Sequence, residues 1–139
     1  MITKFFRINS RHFLPLKHLV YGGPDGELGA SLRYFSQRYS MPTNMTKGLL
    51  NDIATEEIAH LEMVGAIVYQ LTRGINVQMV KDSGFADYFM NHTTGVYPAN
   101  TNGVPFTAAY IAVSGDPLAD LAEDMAADAT ISYAQHHVL

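Results

Sequence analysis

A chain of 139 residues is sized for one domain that buries roughly two-thirds of its unfolded surface, and 47% hydrophobic with 16% charged residues places it among globular sequences. Nine Lys and Arg against thirteen Asp and Glu leave a net charge of −4, without the positive field that phosphate backbones require, so nucleic acid is not an expected partner. The absence of cysteine removes disulfides, thiolate catalysis, zinc ribbons and iron–sulfur clusters, and leaves His, Asp and Glu as the strong metal ligands.

No uninterrupted apolar stretch approaches the roughly 20 residues that span a bilayer, so no membrane partner is expected. Residues 1–24 carry Lys4, Arg7, Arg11 and Lys17 with no acidic side chain, and their apolar residues form short clusters rather than a signal-peptide core. Cytoplasmic synthesis without export is the expectation, with residues 1–20 as a divergent arm. Leu28, Leu32, Phe35 and Tyr39 then fall at i, i+4, i+7 and i+11, an apolar stripe that predicts a first helix over 24–40 with Pro24 in its first turn. After a turn at Pro42, residues 44–73 contain no proline. Their seam runs Leu50, Ile53, Ala54, Ile58, Leu61, Val64, Val68 and Leu71, which predicts a second helix about 45 Å long that stops at Gly74. Residues 75–116 are rich in Gly, Asn, Thr and Pro and read as a crossover packed on the helices, with a short helix within 77–88 and an extended run within 104–113. Asp116 as N-cap and Pro117 as the first helical residue open a third helix over 117–136, seamed by Leu118, Leu121, Ala122, Met125 and Ala129. The expected architecture is one all-α domain over 1–139. It is a truncated ferritin-like bundle of three helices, with a long crossover between the second and third and the fourth helix absent.

Glu57 interrupts the second seam at the position reached by i+3 and i+4 steps from Ala54 and Ile53, where an ionised carboxylate is costly unless paired or metal-bound. His60 lies one turn on, and Glu-x-x-His is the unit by which dimetal bundles hold their ions, although it also arises by chance around a structural histidine. Asp128 falls on the third seam at Met125+3, and Glu27 flanks the Leu28 stripe, where an acid also complements the helix dipole. Glu56, Glu62, Glu123 and Asp124 project off the seams and are expected to be solvated or to support the ligands from behind.

The segments YGGPDGELGASLRYFSQRYSMP, LLNDIATEEIAHLEMVGAIVYQLTRG and GVPFTAAYIAVSGDPLADLAEDMAAD resemble the manganese catalase family, most closely its spore-coat branch, over about residues 21–128. The resemblance implies a ferritin-like fold and dismutation of hydrogen peroxide to water and dioxygen at two manganese ions. It implies that Glu27 and His60 ligate the first manganese, that Glu57 bridges both, and that the second takes a carboxylate from the third helix and a histidine from a fourth. The family's Ala-Ala-Glu is here Ala126-Ala127-Asp128, and the fourth helix with its histidine is missing. His136 stands eight residues beyond Asp128, a rise of about 12 Å on a continuous helix, too far to share one ion of a pair spaced about 3.5–4 Å; His137 fares no better. The metal set is therefore Glu27, Glu57, His60 and Asp128, for two manganese by family and one or none here, with iron left open. Weak or absent two-metal turnover is expected of the isolated chain unless another subunit or a longer native form completes the site. The alternative is a non-enzymatic spore-coat or assembly component with a partial or vestigial metal site, partnered by copies of itself or by coat proteins, in the cytoplasm or the spore coat.

Overall fold

The Thr43 side chain starts the longest element by accepting from the Thr46 amide at 3.1 Å, and with no proline to interrupt it the helix runs from Asn44 to Thr72. The computed structural model describes residues 21–24, 26–84, 86–89, 95–100 and 103–136, with side chains described through Ala129. Within these residues the helices are α1 (Glu27–Gln37), α2 (Asn44–Thr72), α3 (Val77–Ser83) and α4 (Pro117–His136). A 3₁₀ turn over Arg38–Ser40 ends α1, and Gly74 leaves α2 at φ +82, a conformation for which glycine carries no steric penalty. Asp116 Oδ1 caps α4 by accepting from the Leu118 amide at 2.9 Å. No strand forms among the described residues. The 75–116 crossover holds two isolated bridges, Phe89 to Val96 and Ala99 to Pro105, and a 3₁₀ turn at Ala108–Tyr110 in place of the extended run expected there.

α1 and α2 lie antiparallel, with Arg38 hydrogen-bonded to Asn51 at one end and Glu27 beside His60 at the other. Ala30, Tyr34, Met41, Leu50 and Ala54 form the core between them, with Phe35 and Ile53 packed against it. The crossover has its own smaller core of Val80, Tyr88, Phe89 and Ala99. Gly29 faces a backbone too close for any side chain: a Cβ there would sit 2.4 Å from the Pro24 carbonyl oxygen. Gly29→Ala gains about 1 kcal/mol of helix propensity but overpacks this contact at a larger cost. We expect a net loss of about 2 kcal/mol, read as a lowered thermal midpoint; an unchanged midpoint would show that the helix entry yields freely.

Two expected seams face elsewhere. In α1 the residues turned inward are Glu27, Ala30, Ser31, Arg33, Tyr34 and Gln37, while Leu28, Leu32 and Phe35 are half-buried and Tyr39 is exposed. In α4 the buried positions are Asp120, Asp124 and Ala127, and the predicted seam points outward, with Leu118 81% and Met125 70% exposed. The cause is the α1–α4 joint, which is polar. The Arg33 guanidinium meets Glu123 Oε1 at 3.0 Å, the Tyr34 hydroxyl donates to Asp128 Oδ1 at 2.9 Å, and Gln37 Nε2 donates to Asp124 Oδ1 at 3.1 Å. Along α2, Leu50, Ala54 and Val68 are buried, but Ile58 is exposed. Asp120 ties the preceding loop to α4, accepting from the Ser114 amide and hydroxyl and the Gly115 amide; burial pushes its carboxyl up, but these bonds hold it below the ordinary range.

Candidate metal centre

Gly26 supplies an extended N-cap to α1 without a side-chain cap bond, which places Glu27 in the first turn, where the helix N-terminus favours negative charge. The same turn packs against the middle of α2, where Glu57 and His60 stand one turn apart on one face. His60 Nδ1 lies 3.0 Å from Glu57 Oε2 and 3.9 Å from Glu27 Oε2. One donor atom from each of the three residues falls within 4.8 Å of the other two. Glu27 is 7% exposed, Glu57 half-buried, and the His60 side chain 38% exposed, so the cluster is closed on the α1 side and open on the imidazole side.

The electrostatics of this arrangement are unfavourable without a cation. Burial pushes the Glu27 carboxyl up to about 8, helped by its hydrogen bond to Glu57 and by the negative charges of Glu57 and Asp128. At neutral pH the Glu27–Glu57 pair accordingly holds a proton between its two carboxyls. A divalent ion placed among these donors would replace that proton and compensate both charges, and two hard oxygens with one imidazole suit manganese or iron.

Asp128 stands outside the three-residue cluster. Its side chain is exposed and is held by the Tyr34 hydroxyl at 2.9 Å, and its charge contributes to the raised Glu27 carboxyl. Tyr34 is 2% exposed, and burial together with the Asp128 bond keeps its phenol protonated. Glu56 and Glu62 are exposed, in line with the solvated role expected for them. Asp124 departs from that expectation: it is 5% exposed and bonded to Gln37, while Glu123 pairs with buried Arg33. Residues 1–20 and His137 lie outside the described residues, as does the side chain of His136. Sequence reasoning missed Tyr34, Gln37 and Arg33. The available signal was the four-residue step of Asp120, Asp124 and Asp128, a carboxylate stripe that hydropathy does not weigh.

The chain matches the family model described as manganese containing catalase over residues 16–138. It is 50% identical over 114 residues to Protein CotJC of Bacillus subtilis, covering 81% of this chain and 60% of that protein. To a probable manganese catalase of Clostridium acetobutylicum it is 34% identical over 131 residues, covering 92% of this chain and 56% of that one. Among solved structures it is similar to KatB, a manganese catalase from Anabaena, with a TM-score of 0.78 at 31% identity over 93% of this chain and 57% of KatB. The chain thus spans less than two-thirds of the length of each of these relatives.

Proposed function

Because the chain belongs to the manganese-containing catalase family, we propose that Glu27, Glu57 and His60 hold manganese in a protein that dismutates hydrogen peroxide to water and dioxygen. The observation that carries this reading is the convergence of two carboxylates and an imidazole within 4.8 Å from two packed helices. Glu57 is within reach of both other donors, and it would hold manganese together with Glu27 and His60. Asp128, steered by the Tyr34 hydroxyl, offers the carboxylate for a second site. Bound manganese would supply reversible two-electron redox chemistry. The protein contributes geometry and charge: Tyr34 fixes the Asp128 carboxylate, the α1–α2 core keeps water from the Glu27 side, and the half-open imidazole side admits a small neutral substrate.

The test is to supply manganese during expression, then measure bound metal per chain and oxygen release from peroxide. About two ions with turnover support the proposal, and a chain that takes up no manganese overturns it. Proton competition gives a further expected result. Manganese must displace the proton held at Glu27, whose carboxyl titrates at about 8, so affinity falls about tenfold per pH unit between pH 8 and 6. Manganese titrations at several pH values read that slope, and a flat profile would remove Glu27 from the ligand set.

A second reading keeps the fold and discards the turnover: an assembly component of the spore coat, with a partial or vestigial site. Two observations favour it. Identity is higher to CotJC than to the relatives named manganese catalase, and apolar side chains lie outward on two helices, Leu118 and Met125 on α4 with Leu49 and Met63 on α2. Stable oligomers without oxygen release would select this reading. No described helix is long and apolar enough to cross a membrane.

A further inference from the structure

The polar joint between α1 and α4 leaves two buried oxygens with no donor among the described residues. Gln37 is fully buried and Asp124 is 5% exposed. Gln37 Nε2 spends both of its protons, one on the Ala112 carbonyl at 3.0 Å and one on Asp124 Oδ1 at 3.1 Å. Gln37 Oε1 and Asp124 Oδ2 then have no hydrogen-bond partner among the described residues. Turning the amide over does not help, because it sets the Gln37 oxygen against the Ala112 carbonyl and the Asp124 carboxyl.

The charged groups around Asp124 are otherwise engaged. On α1, the Arg33 guanidinium has its Nε 4.0 Å from Asp124 Oδ1, beyond hydrogen-bond distance, and gives Nη1 to Glu123 at 3.0 Å, while the Tyr34 hydroxyl is bonded to Asp128. On α4, Glu123 and Asp128 are both acids. The segment leading into α4 presents the Ala112 carbonyl, already bonded to Gln37. A carboxyl and a carboxamide already joined by one N–H···O bond close a second when the carboxyl carries a proton, with its O–H donating to the amide oxygen.

We propose that Asp124 is protonated on Oδ2 and donates to Gln37 Oε1, closing a two-bond acid–amide clasp between α4 and α1 that opens when the proton leaves. One proton satisfies both orphaned oxygens at once, which an amide flip does not achieve. Burial pushes the Asp124 carboxyl up to about 6; the Gln37 bond and Arg33 pull it down, and the charges of Glu123 and Asp128 add to the rise. The clasp is therefore closed below about pH 6 and released above it, one helical turn from the Tyr34–Asp128 bond. It is a pH-sensitive joint, distinct from the Glu27 cluster.

The experiment compares the full wild-type chain with Asp124→Asn by infrared difference spectroscopy across pH 5 to 7.5, following the carbonyl stretch of a neutral carboxylic acid. Asn presents an acceptor oxygen and a donor amide in the same places, so it keeps the clasp shut at every pH. A neutral-acid component beyond the one that Glu27 gives in both proteins, present in wild type at pH 5, gone by pH 7.5 and missing from Asp124→Asn, supports the proposal. Identical band profiles in the two proteins overturn it. If Asp124→Asn does not fold, the aspartate carboxyl ¹³C resonances of the wild-type chain give the same answer: one titrates near pH 6, and titration of all of them below pH 5 sinks the clasp. A thermal midpoint that rises with added manganese or calcium in wild type but not in Asp124→Asn, without the acid band, assigns the two oxygens to a cation and also overturns the proton.

Discussion

Replacing Glu57 with Gln is expected to weaken manganese binding by more than about 100-fold while leaving the helical fold intact. Loss of a group that merely supports a metal ligand typically costs about 10–100-fold in affinity, so loss of the carboxylate proposed to bind the metal directly is expected to exceed that range. The fold survives because Gln matches Glu in volume and helix propensity and can still meet His60 and Glu27, from which Glu57 is separated by hydrogen-bond distances. The wild-type pair must bind a proton to avoid two opposed charges, and Gln removes that requirement. The metal-free variant should therefore melt no lower than wild type, and its Glu27 carboxyl should titrate below its present value of about 8, which burial sets first and Glu57 raises further. Metal analysis after dialysis, alongside circular dichroism, separates ligation from folding. A variant that retains manganese would remove Glu57 from the centre.

Glu57 and His60 were legible in the sequence because an acid on an apolar seam is an anomaly with few physical solutions, and the next turn supplied an imidazole. The family resemblance, carried by three separated blocks, reached the architecture that the helical periodicities alone only outlined. The phases of α1 and α4 were not legible. Hydropathy selects the apolar stripe of a helix, Leu118 to Met125 in α4, and assigns it to the nearest core. Here the joint between the two helices uses Arg33, Gln37, Asp124 and Glu123 instead, and the apolar stripe is turned outward. Both choices have the same period, so periodicity cannot separate them; what differs is the charge pairing between elements 87 to 94 residues apart, which one sequence does not expose. Asp128 shows the consequence. Its spacing predicts a place on the third seam, and it does meet α1, but through the Tyr34 hydroxyl and from an exposed position.

That polar joint makes Arg33 a large expected contributor to stability outside the candidate metal centre. The Arg33 side chain is 3% exposed, bonded to Glu123 at 3.0 Å and 4.0 Å from Asp124, and it is the cation nearest to both acids among the ion pairs described. Arg33→Met keeps much of the packing volume but leaves a buried aspartate uncompensated. Breaking a buried pair from one side costs roughly 3–5 kcal/mol; because Glu123 is 46% exposed and recovers solvation, the expected loss is near the lower end, about 3 kcal/mol at pH 7.5. The loss should shrink on acidification. Asp124 titrates at about 6 in the folded chain against an ordinary 3.8. Its contribution to stability is thus fully present below 3.8 and is lost as pH rises through 6. Without Arg33 the folded value climbs further, and at pH 5 the carboxyl is neutral and needs no cation. Chemical denaturation of both proteins at pH 5 and 7.5 reads the difference, and an equal loss at the two pH values would show that Arg33 acts through packing rather than through charge.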